Sequence, residues 1–151
     1  MTEKTVIALM NAANRGKTQT LKHLAQLIQS KYATQMKNSK MEVIVGSEDF
    51  NFYFELNGKK VNIISRGDPR TGLLVKLNSS KECDLIICTC RTKGTTVKEV
   101  KTFCKNEQAI LISSQTYEVD SALKTDKTIF DETNRLKAKH LLALIEKKQL
   151  I

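Results

Sequence analysis

Residues 6–18 read Val-Ile-Ala-Leu-Met-Asn-Ala-Ala-Asn-Arg-Gly-Lys-Thr, a five-residue apolar run that passes directly into a polar loop. A short, continuous apolar run is typical of a central strand that is covered on both faces. Beyond the loop, apolar residues recur at three- and four-residue spacing, which indicates an amphipathic helix. They are Leu21, Leu24, Ala25, Ile28 and Tyr32.

The next part of the chain predicts a β-hairpin. Residues 41–45 have the composition of a strand, and two further strand-like stretches, 52–56 and 59–65, flank Asn57-Gly58. This dipeptide is the strongest short hairpin signal, because both residues tolerate a positive φ. At least one strand of the sheet is therefore expected to be antiparallel.

Three sites have the pattern of a helix start. Asp68-Pro69 looks like an N-cap followed by proline in the first helical position. Thr96 and Glu99 have the spacing of a capping box, and Asp131 is expected to cap a final helix that runs to about residue 148. The apolar residues that follow the first two starts are Leu73, Leu74, Leu77, Val97, Val100 and Cys104.

Residues 84–89 and 109–112 are further apolar strands, and residues 115–130 form a loop in this interpretation. Strands that alternate with helices predict an α/β fold of three layers, with a mainly parallel sheet and helices on both faces. The chain length predicts one domain over residues 1–151. Ligands of such sheets bind at the carboxyl ends of the strands. Residues 11–18, 65–68, 89–94 and 113–116 are expected there.

The loop after the first strand has the chemistry of a phosphate site. A loop between a strand and a helix directs backbone amides at a bound anion, beside the positive end of the helix dipole. Gly16 lets the backbone approach closely, and Lys17 neutralises charge on the outer phosphates. The Thr18 hydroxyl is placed to bind magnesium.

This loop resembles that of the P-loop nucleoside triphosphatases, in which glycine and four variable residues precede Gly-Lys and then Ser or Thr. Asn11 stands in place of the first glycine, and it also tolerates a positive φ. The resemblance implies that a nucleoside triphosphate with Mg²⁺ binds to Asn11, Ala12, Ala13, Asn14, Arg15, Gly16, Lys17 and Thr18. The plainer alternative for the same residues is an ordinary strand-to-helix turn with a solvated lysine, or a relic loop that no longer binds nucleotide.

The base and the metal are assigned by comparison with the same superfamily. Its guanine-nucleotide branch has Asp-x-x-Gly and Asn-Lys-x-Asp motifs, where this chain has Ser65-Arg66-Gly67-Asp68 and Ser113-Ser114-Gln115-Thr116. ATP is therefore the expected nucleotide. Asp68 is the candidate second magnesium ligand, although it also fits a helix cap. Asp84, at the amino end of its strand, is interpreted as structural.

Basic residues near the same edge are candidates for stabilising charge on a transferring phosphoryl group. Arg66, Arg70, Arg91 and Lys93 lie in or beside the predicted loops. Arg91 and Lys93 precede a helix start and are the first choices, with Arg91 assigned a catalytic role beside Lys17. For each one singly, solvated surface charge is the alternative.

Three functions fit these features. The first is a magnesium-dependent, ATP-binding protein that hydrolyses ATP slowly or transfers its phosphate. The second is a non-enzymatic module whose nucleotide controls its affinity for another protein. The third is a basic nucleic-acid-binding protein in which the loop is incidental.

The net charge of +9 is concentrated at the two ends of the chain. Residues 1–40 contain seven bases and one acid, whereas residues 41–120 contain eleven of each. In proteins similar to the P-loop family the first and last helices share one side of the sheet. Basic residues of those helices are therefore expected to form a surface for an acidic protein or a nucleic acid; they are Lys22, Lys31, Arg135, Lys137 and Lys139.

The sequence predicts a cytoplasmic protein. No secretory leader pattern and no apolar run of transmembrane length is evident. Cys83, Cys88, Cys90 and Cys104 are then expected to remain reduced, and they lack the paired spacing of a structural zinc site. Cys88 and Cys90 share one face of a strand, which permits a metal-binding or redox role. The favoured interpretation is that they are small apolar residues of a buried strand.

Overall fold

The computed structural model describes residues 3–12, 16–66, 72–118 and 127–151. In chain order the elements are β1 (Thr5–Met10), α1 (Lys17–Tyr32), β2 (Lys37–Val43), β3 (Phe50–Leu56), β4 (Lys59–Ile64), α2 (Leu73–Ser79), β5 (Leu85–Cys90), α3 (Thr95–Glu107), β6 (Ile110–Gln115) and α4 (Lys127–Lys147). Strands and helices alternate except in the succession β2, β3 and β4.

Six strands form one sheet in the order β2-β3-β4-β5-β1-β6. β4, β5, β1 and β6 are parallel neighbours, whereas β3 is antiparallel to both β2 and β4. β1 lies inside the parallel part, where Ile7 is paired with Ile87 of β5 and Ile112 of β6. The predicted α/β class, with a mainly parallel sheet and an antiparallel hairpin strand, is confirmed.

Helices cover both faces of the sheet, and this explains the continuous apolar run of β1. Ile7 and Leu9 face a core built with α1 and α4. Val6 and Ala8, which point the opposite way, face a second core built with α2 and α3. The expected placement of the first and last helices on one side is therefore correct.

The hairpin between β3 and β4 has the predicted turn. Asn57 and Gly58 have φ values of 53° and 76°. A two-residue turn with positive φ at both positions matches the right-handed twist of the flanking strands. The turn sets the register in which Leu56 pairs with Lys59.

Two predicted caps are wrong. α4 begins at Lys127, so Asp131 lies inside the helix. Its carboxylate accepts a hydrogen bond from Arg135 Nε at 2.8 Å, one turn along the helix, and lies 3.1 Å from His23 Nε2 on α1. The acid therefore links α4 to α1.

Thr96 does not form a capping box, because α3 begins at Thr95 after Gly94 and has no side-chain cap. The Thr96 hydroxyl instead accepts a hydrogen bond from the Arg91 backbone amide at 3.0 Å. It thus satisfies a polar group of the preceding loop. The predicted cap Asp68-Pro69 lies outside the described residues.

No helix in the described ranges is both long and apolar enough to cross a membrane.

Candidate functional site

The loop after β1 lies at the sheet edge where the parallel strands end. The Asn11 amide donates to the carbonyl of Cys90, the last residue of β5, at 3.2 Å. Asn11 Nδ2 donates to Thr116 Oγ1, just beyond β6, at 2.7 Å. Thr18 Oγ1 lies 2.8 Å from Ser65 Oγ, just beyond β4. The four groups of residues predicted to share this edge are therefore brought together through these members.

Position 16 requires glycine for two reasons, its backbone conformation and the lack of space for a side chain. It has φ 82° and ψ 13° and occupies the N-cap position of α1. A Cβ atom there would lie 2.9 Å from Cγ of Asn134 on α4. The Gly16 carbonyl accepts hydrogen bonds from the Thr20 amide at 2.9 Å and from Thr20 Oγ1 at 2.7 Å. Asn134, which the sequence does not single out, therefore packs directly against the loop.

Lys17 is buried, whereas an ordinary strand-to-helix turn would leave this lysine solvated. Only 6% of the residue is exposed. Its Nζ donates to the Asn11 carbonyl at 2.7 Å and so crosses the loop from the first turn of α1. Burial of an ammonium is unfavourable without such a partner. The loop thus holds a positive charge on its inner side.

Thr18, Ser65 and Asp49 form a cluster of oxygen ligands. Asp49 Oδ1 accepts hydrogen bonds from Thr18 Oγ1 at 3.3 Å and from Ser65 Oγ at 3.1 Å. Asp49 immediately precedes β3. Because β3 is antiparallel, its amino end lies at the edge where the parallel strands have their carboxyl ends. The predicted hairpin already implies this strand direction, but sequence reasoning did not single out Asp49.

This cluster fits magnesium better than a transition metal. Mg²⁺ prefers oxygen ligands and usually takes one or two carboxylates together with phosphate oxygens and water. The described residues contain no group of three or more His, Cys, Asp or Glu residues that could hold a metal ion. Thr18 and Asp49 are the alcohol and the carboxylate of the cluster that could hold such an ion.

Asn11 replaces a glycine of the family pattern without adopting a positive φ. Its side chain uses both ends: Oδ1 accepts from the Ala12 amide at 2.7 Å, and Nδ2 donates to Thr116. The suggested reason for tolerating asparagine, a left-handed conformation, is therefore incorrect. The side chain instead fixes the start of the loop against β6.

Thr89 is a further polar residue on this side of the sheet. The register pairs Ile63 of β4 with Ile87 of β5, so the next residues on the same face are Ser65 and Thr89. Thr89 Oγ1 is buried and has no hydrogen-bond partner in the described part of the chain. Buried hydroxyls in proteins usually have a hydrogen-bond partner, so Thr89 is an exception among the described residues.

The other predicted basic residues differ in their position relative to the loop. Arg91 directly follows β5 and is half-buried, and Lys93 is exposed two residues later. Arg66 Nη2 lies 3.5 Å from Glu42 Oε1, towards the outer strand β2. Arg91 and Lys93 thus follow a strand that ends at the candidate site.

Several predicted site residues lie outside the described ranges. They are Ala13, Asn14 and Arg15 of the loop, the proposed metal ligand Asp68, and Arg70. Asp84, interpreted as structural, lies before β5, and its Oδ2 accepts a hydrogen bond from the Lys60 amide at 2.9 Å. Asp84 thus supports the pairing of β4 and β5, far from the loop.

The cysteines are buried, as their pattern predicts. Burial raises the pKa of the Cys90 thiol to about 11 and places the pKa of Cys88 well above its usual value. At neutral pH both are therefore protonated thiols. This state is poorly suited to metal binding or nucleophilic attack.

The basic surface predicted for α1 and α4 is partly neutralised within the chain. Lys31 Nζ lies 2.5 Å from Glu146 Oε2, and Arg135 pairs with Asp131. Lys137 Nζ donates to Ser114 Oγ and lies 5.6 Å from the centre of the Tyr117 ring. These contacts reduce the positive field available to a partner.

Comparison of the chain with protein-family models, curated proteins and solved structures gives no significant match.

Proposed function

We propose that this protein binds a nucleoside triphosphate, with ATP favoured, together with Mg²⁺ at the loop that joins β1 to α1. The observation that carries the proposal is the buried Lys17 ammonium, held 2.7 Å from the Asn11 carbonyl inside that loop. A purely structural lysine has little reason to be buried beside the Asn11 carbonyl at a helix start, where the helix dipole disfavours a positive charge. A lysine that binds phosphate needs this position.

Phosphate binding would replace one partner of Lys17 with another. The ammonium now donates to a neutral carbonyl, and phosphate oxygens would offer it charged acceptors, which form stronger hydrogen bonds. The left-handed Gly16 turns the chain into α1, so that the first amides of the helix face the same anion. The loop therefore supplies both charge and directed donors.

Magnesium would bind between the phosphates and the cluster of Thr18, Asp49 and Ser65. Thr18 Oγ1 is the direct ligand in this proposal, and Asp49 binds the ion directly or through water. Asp68 remains a candidate from the sequence. The ion would neutralise charge on the outer phosphates and fix their orientation.

The chemistry at such a site is positioning and charge neutralisation. Lys17 stabilises charge on the transferred group, and Arg91 is proposed to assist it from the end of β5. Slow hydrolysis of the nucleotide, or transfer of its phosphate to an acceptor, is the reaction in this proposal.

The decisive experiment is a calorimetric titration with ATP and with GTP, each with and without Mg²⁺. We expect saturable binding that magnesium strengthens. If GTP binds at least tenfold more tightly than ATP, the adenine assignment is wrong. If neither nucleotide binds, the proposed function is wrong. Multiple-turnover phosphate release then separates an enzyme from a module that only binds nucleotide.

A further inference from the structure

Thr89 on β5 has a hydroxyl that the fold does not use. Only 1% of the residue is exposed, and its Oγ1 has no hydrogen-bond partner in the described part of the chain. Among the described residues, Asn62 Oδ1 and Arg66 Nε are also buried without a partner. Asn62 nevertheless donates through Nδ2 to Ser80 at 2.9 Å, and Arg66 Nη2 lies 3.5 Å from Glu42. Thr89 has a single polar side-chain atom and makes no such second contact.

The surroundings of Thr89 suit an apolar side chain. Leu9 is level with it on β1, Ile87 precedes it on the same face, and both are fully buried. Valine has the branched shape of threonine without the hydroxyl and is equally suited to a strand. A desolvated hydroxyl without a partner destabilises the fold relative to such a side chain. The packing therefore does not account for threonine at this position.

Thr89 lies beside the oxygen cluster of Thr18, Asp49 and Ser65. The parallel register of β4 and β5, continued one residue beyond its last pair, places Ser65 next to Thr89 on the face that packs against α1. Ser65 Oγ lies 2.8 Å from Thr18 Oγ1 and donates to Asp49 Oδ1 at 3.1 Å. Neighbouring strands lie about 4.8 Å apart, and one water can form hydrogen bonds of about 2.8 Å to hydroxyls on both. Thr89 is therefore within reach of a water that the cluster also binds.

We propose that the Thr89 hydroxyl binds a water molecule coordinated to the magnesium ion of the proposed nucleotide site. This role rests on the proposed function and makes Thr89 a positioning residue for the metal. Mg²⁺ usually keeps several waters, and the groups that bond those waters orient the ion. A water on a divalent cation is polarised towards donating its protons, and the hydroxyl oxygen of Thr89 has lone pairs to accept one.

Thr89→Val separates this role from a structural one, because the two roles predict opposite effects on stability. The variant should raise the melting temperature of the ligand-free protein by about 2–4 °C, since a buried hydroxyl without a partner is removed. Thr116→Val is the matched control. Thr116 is also buried at this edge, but its Oγ1 accepts a hydrogen bond from Asn11 Nδ2 at 2.7 Å. The control should lower the melting temperature, because the Asn11 amide loses its partner.

Calorimetric titration with ATP, with and without Mg²⁺, measures the effect on the metal. Thr89→Val should reduce about tenfold the increase in ATP affinity that magnesium produces, while binding without magnesium is unchanged. Thr89→Ser keeps the hydroxyl and should keep the magnesium effect. Lys17→Ala should weaken ATP binding under both conditions, because it removes a contact with the phosphates themselves.

Three results would overturn the inference. A melting temperature of Thr89→Val below that of the original chain means that the hydroxyl supports the fold. An undiminished magnesium effect in Thr89→Val, where Lys17→Ala does weaken ATP binding, excludes the role of Thr89 and leaves the proposed function standing. Absence of ATP binding by the original chain overturns both.

Discussion

Replacement of Lys17 by alanine tests the proposed site most directly. The ammonium is buried within the loop and donates to the Asn11 carbonyl at 2.7 Å, so it is already held where phosphate would bind. Loss of a hydrogen bond to a charged group costs about 1.5–3 kcal/mol, which lowers affinity roughly ten- to a hundredfold. The backbone amides of the loop remain, and binding should be weakened rather than abolished.

The same substitution should leave the chain folded. Removal of Lys17 deletes the buried hydrogen bond to the Asn11 carbonyl, but it also removes an ammonium that burial has stripped of water. Alanine favours the helix that begins at this position. We therefore expect the free energy of unfolding to change by no more than about 2 kcal/mol, with a shift in melting temperature of several degrees.

Calorimetric titration with ATP and magnesium measures the loss of affinity, and thermal melts check the fold. Lys17→Met is a second variant, because it keeps most of the aliphatic stem and removes only the charge. Lys22→Ala removes the same charge from α1 away from the loop and should bind like the original chain. Equal affinities of the original chain and both Lys17 variants would mean that Lys17 does not engage phosphate.

Three further predictions concern the surroundings of the loop. Asp49→Asn should reduce about tenfold the increase in ATP affinity that magnesium produces, as loss of a group that orients a metal site does. ATP binding without magnesium should be unchanged or stronger. An unchanged magnesium effect in calorimetry contradicts the assigned role. Gly16→Ala should lower the free energy of unfolding by about 2–3 kcal/mol through backbone strain and contact with Asn134. In a chain that already carries Asn134→Ala, the same substitution should cost only about 1 kcal/mol. If urea denaturation gives the same cost in both backgrounds, the contact with Asn134 is excluded. Alkylation of Cys90 should be slow at pH 8 and should accelerate as the pH rises towards the thiol's pKa of about 11, because only the thiolate reacts. Rapid modification at pH 7, measured by mass spectrometry, would contradict the raised pKa.

The sheet was predictable because its signals are local. The central strands β1 and β5 are short, largely apolar runs, and burial on both faces makes such runs continuous. The Asn57-Gly58 turn requires two positive φ values, which few other dipeptides accept. Once these strands are ordered by alternation with helices, their carboxyl ends meet at one edge, and the contacts of Asn11 with Cys90 and Thr116 follow.

The missed features depend on contacts between distant parts of the chain. Asn134 is separated from Gly16 by most of the sequence, and only the packing of α4 on α1 brings them together. Thr96 and Asp131 both match a capping pattern, yet neither caps a helix. Each side chain satisfies a nearer polar partner, the Arg91 amide or the Arg135 guanidinium. Local patterns cannot reveal such competition between partners.

The burial of Lys17 also changes how the asparagine at the start of the loop is understood. Asn11 binds Lys17 through its carbonyl and Thr116 through its side chain. A glycine there would provide the carbonyl but no link to β6, and its freer backbone would hold that carbonyl less firmly. The hydrogen bonds of Asn11 therefore fix the point at which the loop leaves β1. A glycine at this position would fix it through its backbone conformation instead. Because its backbone carbonyl accepts the hydrogen bond from the Lys17 ammonium, Asn11 also helps to hold the positive charge inside the loop.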